Sequence, residues 1–352
     1  MDESTISDPP FYETYKILLD KTQNDEQQHR INDEDHNKVE VDDVVVEECE
    51  LPVIDLSRLE HGGRVEREEC KLDIARASKE WGFFQVVNHG ISSEILKRLR
   101  LEQEKVFKQP FAKKRKEDKF LNFSAGCYRW GAPSATCIRQ ISWSEAFHIP
   151  LSDILQASAA GSNTLRSTIE QFAATVSSLA HTLAGILAEK MGHNSSFFQE
   201  NCLPSTCYLR LNRYPPCPLP FEVHGLMPHT DSDFLTILHQ DQVGGLQLVK
   251  DGKWIAVKPN PDALIINIGD LFQAWSNGVY KSVEHRVVAN PHVERFSTAY
   301  FFCPSQDTLI ESCREPSVYR KFSFREYRQQ VQNDVQKSGS KIGLRRFLQS
   351  SS

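Results

Sequence analysis

From Cys207 onward the chain becomes a succession of short apolar runs with turn residues between them. Tyr208-Leu-Arg-Leu-Asn212, Phe234-Leu-Thr-Ile-Leu-His239, Gly245-Leu-Gln-Leu-Val249, Trp254-Ile-Ala-Val257, Ala263-Leu-Ile-Ile-Asn-Ile268, His285-Arg-Val-Val288 and Ser297-Thr-Ala-Tyr-Phe-Phe302 are separated by Gly, Pro, Asn and Asp. Runs this short, rich in β-branched and aromatic residues and spaced this regularly, predict a sandwich or barrel of jelly-roll type. Asp251-Gly252, between two of them, is a strong hairpin signal. The chain before Cys207 reads differently. Residues 66–80, 93–107 and 164–191 carry apolar side chains at helical spacing, the second opening on a Ser cap. Trp81-Gly-Phe-Phe-Gln-Val-Val87 predicts a strand closed by the turn Asn88-His89-Gly90, in which His89 is structural. Residues 319–348 predict a helix against the barrel, interrupted at Gly339 and Gly343. The fold class is therefore α+β, mainly β: a jelly-roll core, a helical N-terminal region and a C-terminal helix.

Within the strand-rich region, His229-Thr230-Asp231 stands out. If the tripeptide is extended, His229 and Asp231 share one strand face, because side chains alternate with period 2. His285 can then complete a two-histidine, one-carboxylate set, the donor set of non-haem iron(II) sites with open positions. Alone, a His-x-Asp is as readily a turn or a surface pair. Arg295 and Ser297 are again two apart in an apolar run, so their side chains share a face. A guanidinium with a hydroxyl beside it suits a carboxylate, since the planar fork gives two parallel hydrogen bonds.

The order His229-x-Asp231, His285, Arg295-x-Ser297 resembles the plant 2-oxoglutarate- and iron-dependent dioxygenases. The resemblance runs from about Leu51, through Leu51-Pro-Val-Ile-Asp55 and Trp81-Gly-Phe-Phe-Gln-Val-Val-Asn-His-Gly90, to Asn212-Arg-Tyr-Pro-Pro-Cys217. The last matches the family's Asn-Tyr-Tyr-Pro-x-Cys, with Arg213 in place of the first Tyr. The resemblance implies a double-stranded β-helix with His229, Asp231 and His285 on Fe(II). It also implies 2-oxoglutarate and O2 as co-substrates, ascorbate in support, and Arg295, Ser297 and Tyr214 on the co-substrate's distal carboxylate. The implied reaction couples oxidative decarboxylation of 2-oxoglutarate to abstraction of a hydrogen atom from an unactivated carbon and its hydroxylation. Two rival readings are a non-enzymatic jelly-roll binding protein and an oxidase of the same superfamily that uses ascorbate instead of 2-oxoglutarate.

The 352 residues suffice for a large core. A net charge of −6 argues against nucleic acid as a partner. No run of 18 apolar residues predicts a membrane span, and no secretory signal pattern is present, so a cytoplasmic location is expected, with the nucleus left open. Nine scattered cysteines without a Cys-x-x-Cys pair fit reduced thiols. A monomer is the default. Four segments are expected: 1–50, a poorly ordered acidic arm; 51–200, a helical dioxygenase region; 201–310, the jelly roll; and 311–352, a C-terminal helical segment.

Residues 122–148 resemble the gibberellin 2-oxidases that act on twenty-carbon gibberellins, and Tyr214-Pro-Pro-Cys-Pro218 and Gly269-Asp-Leu-Phe-Gln-Ala-Trp-Ser-Asn-Gly278 agree with that class. The implied reaction is 2β-hydroxylation that inactivates the hormone. Another gibberellin position, or another plant metabolite such as a flavonoid, is the alternative. For a rigid diterpenoid acid, Tyr128, Trp130, Trp143 and Phe147 offer apolar walls and Arg129 and Arg139 offer cations, with Gln273 a further candidate contact. The same aromatics serve equally well as packing between helices and barrel. The segment from Ser124 to His148 shows neither helical nor strand period and is expected to close the barrel's open end over the substrate.

Overall fold

A computed structural model describes residues 8–32, 46–115, 127–132, 135–156, 164–217, 219 and 223–349. The strands are β1 Glu48–Cys49, β2 Val53–Asp55, β3 Phe83–Val87, β4 Tyr128–Trp130, β5 Glu145–Pro150, β6 Tyr208–Tyr214, β7 His224–His229, β8 Leu235–Gln240, β9 Leu246–Lys250, β10 Lys253–Val257, β11 Leu264–Ile268, β12 His285–Val288, β13 Arg295–Phe302, β14 Leu309–Ile310 and β15 Phe322–Ser323. The helices are α1 Phe11–Asn32, α2 Ser57–Glu60, α3 Arg64–Glu80, α4 Ser93–Phe107, α5 Phe111–Arg115, α6 Leu151–Gln156, α7 Thr164–Lys190, α8 Ser196–Asn201, α9 Asp270–Trp275 and α10 Phe324–Ser338.

Two sheets form the barrel. One has the order β2-β3-β11-β8-β13-β6-β5-β4 and the other β1-β10-β9-β12-β7. Their facing sides interdigitate: Phe83, Tyr214 and Ile265 of the larger sheet bury against Leu246, Leu248, Val257 and Val287 of the smaller. Alternation along each strand sends the other set outward. Leu209, Leu211, Ile237, Ile266, Tyr300 and Phe302 join the core built on α3, α4 and α7. The longest helix, α7, is apolar enough to cross a membrane by length and composition, yet its Ile169, Phe172, Val176, Leu183 and Leu187 lie in that core.

Local chemistry sets the element ends. The Ser92 hydroxyl caps α4 by accepting from the Ile95 amide, and Ser323 caps α10 by accepting from Glu326. At the other end of α10, Gly339 takes φ = +73°, so the helical expectation for 319–348 shrinks to α10 and a 3-10 turn at Gly343–Phe347. Asp251 and Gly252 both take positive φ, the two-residue loop that joins β9 to β10 with Lys250 opposite Lys253.

Two expectations are corrected. Residues 1–50 are not simply a polar arm: α1 buries Phe11, Tyr15 and Leu19 beside Ile141, Trp143 and Val223. The stripe falls at i, i+4 and i+8, one residue wide in a polar sequence, which is why composition hid it. Phe11 stacks on Trp143 at 4.6 Å, and the Tyr15 hydroxyl accepts from the Ala132 amide. Residues 1–7 and 33–45 of the expected arm lie outside the described residues. Second, the aperiodic segment 124–148 contains two strands, β4 and β5, which extend the larger sheet beyond β6. Residues 124–126, 133 and 134 of it lie outside the described residues.

Removing the anchor of α1 should undock it. Phe11→Ala is expected to cost about 3–5 kcal/mol of local packing. Limited proteolysis should then cut within α1 while α7 stays protected. Equal protection of α1 in variant and wild type would show that the contact with Trp143 does not hold the helix.

Candidate metal and co-substrate site

The antiparallel pairing of β7 with β12 sets His229 directly opposite His285, with ring centroids 4.4 Å apart. β7 ends at His229, so Thr230 and Asp231 leave the sheet and the expected extended tripeptide is not one strand. Just past the strand end, Asp231 still faces both imidazoles, with Oδ1 3.6 Å from His229 Nε2 and Oδ2 3.8 Å from His285 Nε2. One ligand atom from each of the three lies within 4.8 Å of the others.

The orientation of each donor is fixed from behind. His229 Nδ1 donates to the Met227 carbonyl at 2.7 Å and His285 Nδ1 to the Val283 carbonyl at 3.1 Å, so both Nε2 lone pairs point inward. Burial, and then His229, pushes the His285 imidazole down to about 4, leaving it neutral near pH 7. Burial pushes the Asp231 carboxyl up, but the facing imidazoles and the Thr236 hydroxyl outweigh it and hold the group well below the ordinary carboxylate range. Asp231 Oδ2 accepts from Thr236 Oγ1 at 2.6 Å and Asn267 Nδ2 at 2.7 Å, which leaves Oδ1 for an ion. Thr236 also lies 3.0 Å from Asp233 Oδ2. Burial and the nearby Asp231 raise the Asp233 carboxyl well above its usual range.

The loop is pinned by the C-terminal segment. Lys341 Nζ donates to the Thr230 carbonyl and to Ser232 Oγ, both at 2.8 Å, and pairs with Asp270 at 2.7 Å. Asp270 also accepts from Tyr327 of α10.

Across the barrel, β13 carries Arg295 and Ser297 opposite Tyr214 and Asn212 of β6. Arg295 is 1% exposed, yet no acid pairs with it among the described residues. Nη2 donates to Gln240 Oε1 at 2.7 Å, while Nε and Nη1 have no partner. A buried guanidinium with two unpartnered nitrogens and no acid beside it calls for an anion such as a carboxylate. Asn212 Nδ2 donates to Ser297 Oγ at 3.3 Å, and the Tyr214 ring lies 4.8 Å from the guanidinium carbon. Gly225 makes room for that ring, since a Cβ there would sit 2.7 Å from Tyr214 Cδ1.

Sequence comparison agrees with this geometry. Residues 205–304 match the 2OG-Fe(II) oxygenase superfamily model, and residues 51–165 match the N-terminal model of non-haem dioxygenases in morphine synthesis. The chain is 63% identical to "Gibberellin 2-beta-dioxygenase 8" of Arabidopsis thaliana over 97% of its own length and 98% of the relative's. The chain belongs to the 2-oxoglutarate- and iron(II)-dependent oxygenases. It is 52% identical to "Gibberellin 2-beta-dioxygenase 6" of Oryza sativa subsp. japonica, over 87% of each. Among solved structures it resembles JOX2 in complex with 2OG, Fe and JA (28% identity, TM-score 0.70, 92% and 97% of the two chains). It also resembles the dioxygenase for auxin oxidation in rice (29% identity, TM-score 0.69, 85% and 100%). Iron(II) and 2-oxoglutarate are the cofactor and co-substrate of this oxygenase, and the donor set and the buried Arg295 without an acid fit them.

The residues nominated as substrate contacts divide between two faces. Tyr128 and Trp130 lie on the outer side of β4: the Tyr128 hydroxyl donates to Glu145, which also holds buried Lys114 at 2.8 Å and Arg213 at 2.7 Å. Trp130 packs on Phe11 and Phe111, and Trp143 donates from Nε1 to the Pro216 carbonyl at 3.2 Å beneath Phe11. Phe147 is in the helix-side core. Arg129, between Tyr128 and Trp130, is opposite Ala146, which is opposite Asn212. That register puts Arg129 on the barrel side. Arg139 lies in a 3-10 turn, Ile138–Gln140, and its side chain is outside the described residues. Gln273 is engaged at both ends, donating to the Tyr319 hydroxyl at 2.9 Å and accepting from the Ser282 amide at 2.7 Å.

Sequence reasoning passed over Thr236, Asn267, Asp233 and Lys341. Asn267 did carry a signal, as the one polar residue in Leu264-Ile-Ile-Asn-Ile268; Lys341 carried none. Asn267→Leu should lower iron(II) affinity about 10- to 100-fold, the usual effect of losing a partner of a metal ligand. Anaerobic metal titration checks this, and an affinity equal to wild type would mean that Thr236 alone orients Asp231.

Proposed function

We propose that this oxygenase is a gibberellin 2-oxidase, hydroxylating twenty-carbon gibberellins at the 2β position and so inactivating the hormone. The observation that carries the reading is 63% identity along nearly the whole chain to a relative named a gibberellin 2-beta-dioxygenase, with the ligand set and the arginine pocket both in place. His229, Asp231 and His285 would hold the iron, and Arg295, Ser297 and Tyr214 the distal carboxylate of 2-oxoglutarate. When bound, the iron and 2-oxoglutarate supply the oxidising power that activates O2 and hydroxylates an unactivated C–H bond.

The protein's share is binding, orientation and exclusion of water. The two carbonyl-held imidazoles and the doubly hydrogen-bonded Asp231 present a preset face, so no side chain must reorganise when the ion arrives. Arg295 contributes a charge that is already desolvated, and Gln240 fixes the plane of its fork. Phe83 packs edge-on against His285 at 5.2 Å and, with Leu246, Leu248 and Val287, keeps water from the back of the site. Asp231 and His285 are both under 9% exposed, while His229 is about a quarter exposed and marks the open side.

Two measurements test the reading. Purified enzyme with iron(II), 2-oxoglutarate and ascorbate should convert a twenty-carbon gibberellin to its 2-hydroxy product, with stoichiometric succinate. Turnover of a flavonoid panel with no gibberellin product would sink it. Arg295→Lys keeps the charge but loses the fork, so the KM for 2-oxoglutarate should rise roughly 10- to 100-fold with a smaller change for the gibberellin. The reverse order would place Arg295 in the substrate pocket.

A further inference from the structure

A second group of arginines is formed by Arg210 of β6 and Arg328 of α10. Arg210 is on β6, flanked by Leu209 and Leu211, whose side chains are in the helix-side core, so Arg210 projects to the barrel side. It is opposite His148 of β5 on one side and Ala299 of β13 on the other. The His148 ring packs on Tyr208 with centroids 4.1 Å apart, and Tyr208 stacks on Phe301 at 4.6 Å. His148, Tyr208, Ser232 and Cys303 line a cavity of about 470 Å³ together with Arg328 and Gln332 of α10. Ser232 follows Asp231, so the cavity lies against the loop that carries that ligand. A neighbouring cavity of about 700 Å³ shares Val331 and Gln332 with it and reaches Met227, whose carbonyl holds His229.

The charges here lack partners. Among the described residues neither the half-buried Arg210 nor the exposed Arg328 pairs with an acid or donates a side-chain hydrogen bond; Arg328 lies 5.8 Å from the centre of the Phe324 ring. Arg213, three positions on and facing outward, is satisfied by Glu145 at 2.7 Å and Glu294 at 2.9 Å. The same strand thus pairs its outward cation and leaves its inward one open. The His148 imidazole registers the excess: burial first, then Arg210, Arg328 and Arg129, push it down to about 4. It stays neutral and able to hydrogen-bond, and the positive charge comes from the arginines.

We propose that Arg210 and Arg328, together with His148 and Tyr208, form a recognition site for a carboxylate of the substrate, with the apolar body running past Val331 toward Met227. This deepens the gibberellin reading and rests on it for the identity of the acid, but the site itself is defined by a rigid diterpenoid carboxylate as a class. Arg129, on the same face, adds to the field.

The test compares acids with their neutral methyl esters. Binding of a gibberellin and of abietic acid, each as acid and ester, is measured calorimetrically on enzyme loaded with Mn(II) and 2-oxoglutarate under anaerobic conditions. Wild type should prefer acid to ester by about 10- to 100-fold for at least one pair, as expected for a charged hydrogen bond. Arg210→Gln should abolish the preference, Arg210→Lys should restore part of it, and the Kd for 2-oxoglutarate should not move. No acid preference in wild type, or a preference that survives both Arg210→Gln and Arg328→Gln, overturns the site. A parallel rise in the Kd for 2-oxoglutarate overturns it too, because Arg210 would then serve the co-substrate. The gibberellin reading fails separately: an intact preference for abietic acid with no gibberellin turnover removes the gibberellin and keeps the carboxylate site.

Discussion

The register between β7 and β12 is the constraint on which the site depends. His229 and His285 are direct partners across that ladder, and the period of 2 means that a slip of one residue would send one imidazole to the opposite face. The ladder is irregular just beyond this pair, between His285 and Val287 and again between Val287 and Val288. The pairing that holds the metal donors is kept while the strands bend away from it. β9 secures the other edge of β12, with Leu248 opposite His285, so the smaller sheet cannot re-register without disturbing its packed interior.

The carboxylate is held by other means. Asp231 lies on a loop, and a loop alone would lose too much order to keep an oxygen within ångströms of two imidazoles. Two long-range ties compensate. From the front, Thr236 of β8 and Asn267 of β11 fix Oδ2; from behind, Lys341 takes the carbonyl of Thr230 and the hydroxyl of Ser232. Lys341 is itself held by Asp270, which Tyr327 of α10 also engages. The C-terminal segment is therefore part of the metal site although none of its residues touches the ion position.

These ties explain what the sequence could reveal. Features written as local periodicity were legible: the run of short strands, α4 with its Ser cap, α7, the Asp251-Gly252 hairpin, and the two-apart spacing of Arg295 and Ser297 that β13 turns into a shared face. The ligand types in His229, Asp231 and His285 were legible as chemistry, but the tripeptide's conformation was not, because a strand ending at His229 leaves the same residue pattern as one running through Asp231. Long-range partners left almost no trace. Lys341 reads as one more surface lysine, and Phe11, Tyr15 and Leu19 form too thin a stripe to signal docking on Trp143. The aromatics of the segment up to His148 looked like a pocket wall for the same reason: composition shows that rings are present, whereas the pairing of β4 with β5 decides which side they take.

That pairing also separates two anion-binding tasks. On the barrel side, β6 and β13 present Tyr214 opposite Arg295 at one level and Arg210 opposite Ala299 four residues farther along. At a rise of about 3.4 Å per residue the two arginine levels stand roughly 14 Å apart. A five-carbon diacid anchored at Arg295 is shorter than that span, so its carboxylates cannot occupy both levels at once. The metal carboxylate Asp231 is held by Thr236, which is opposite Phe301, two residues past Ala299. An acid held at the Arg210 level and a co-substrate held at the Arg295 level would thus occupy separate stretches of the same sheet. Each arginine then meets its own carboxylate, and neither ligand gains by displacing the other.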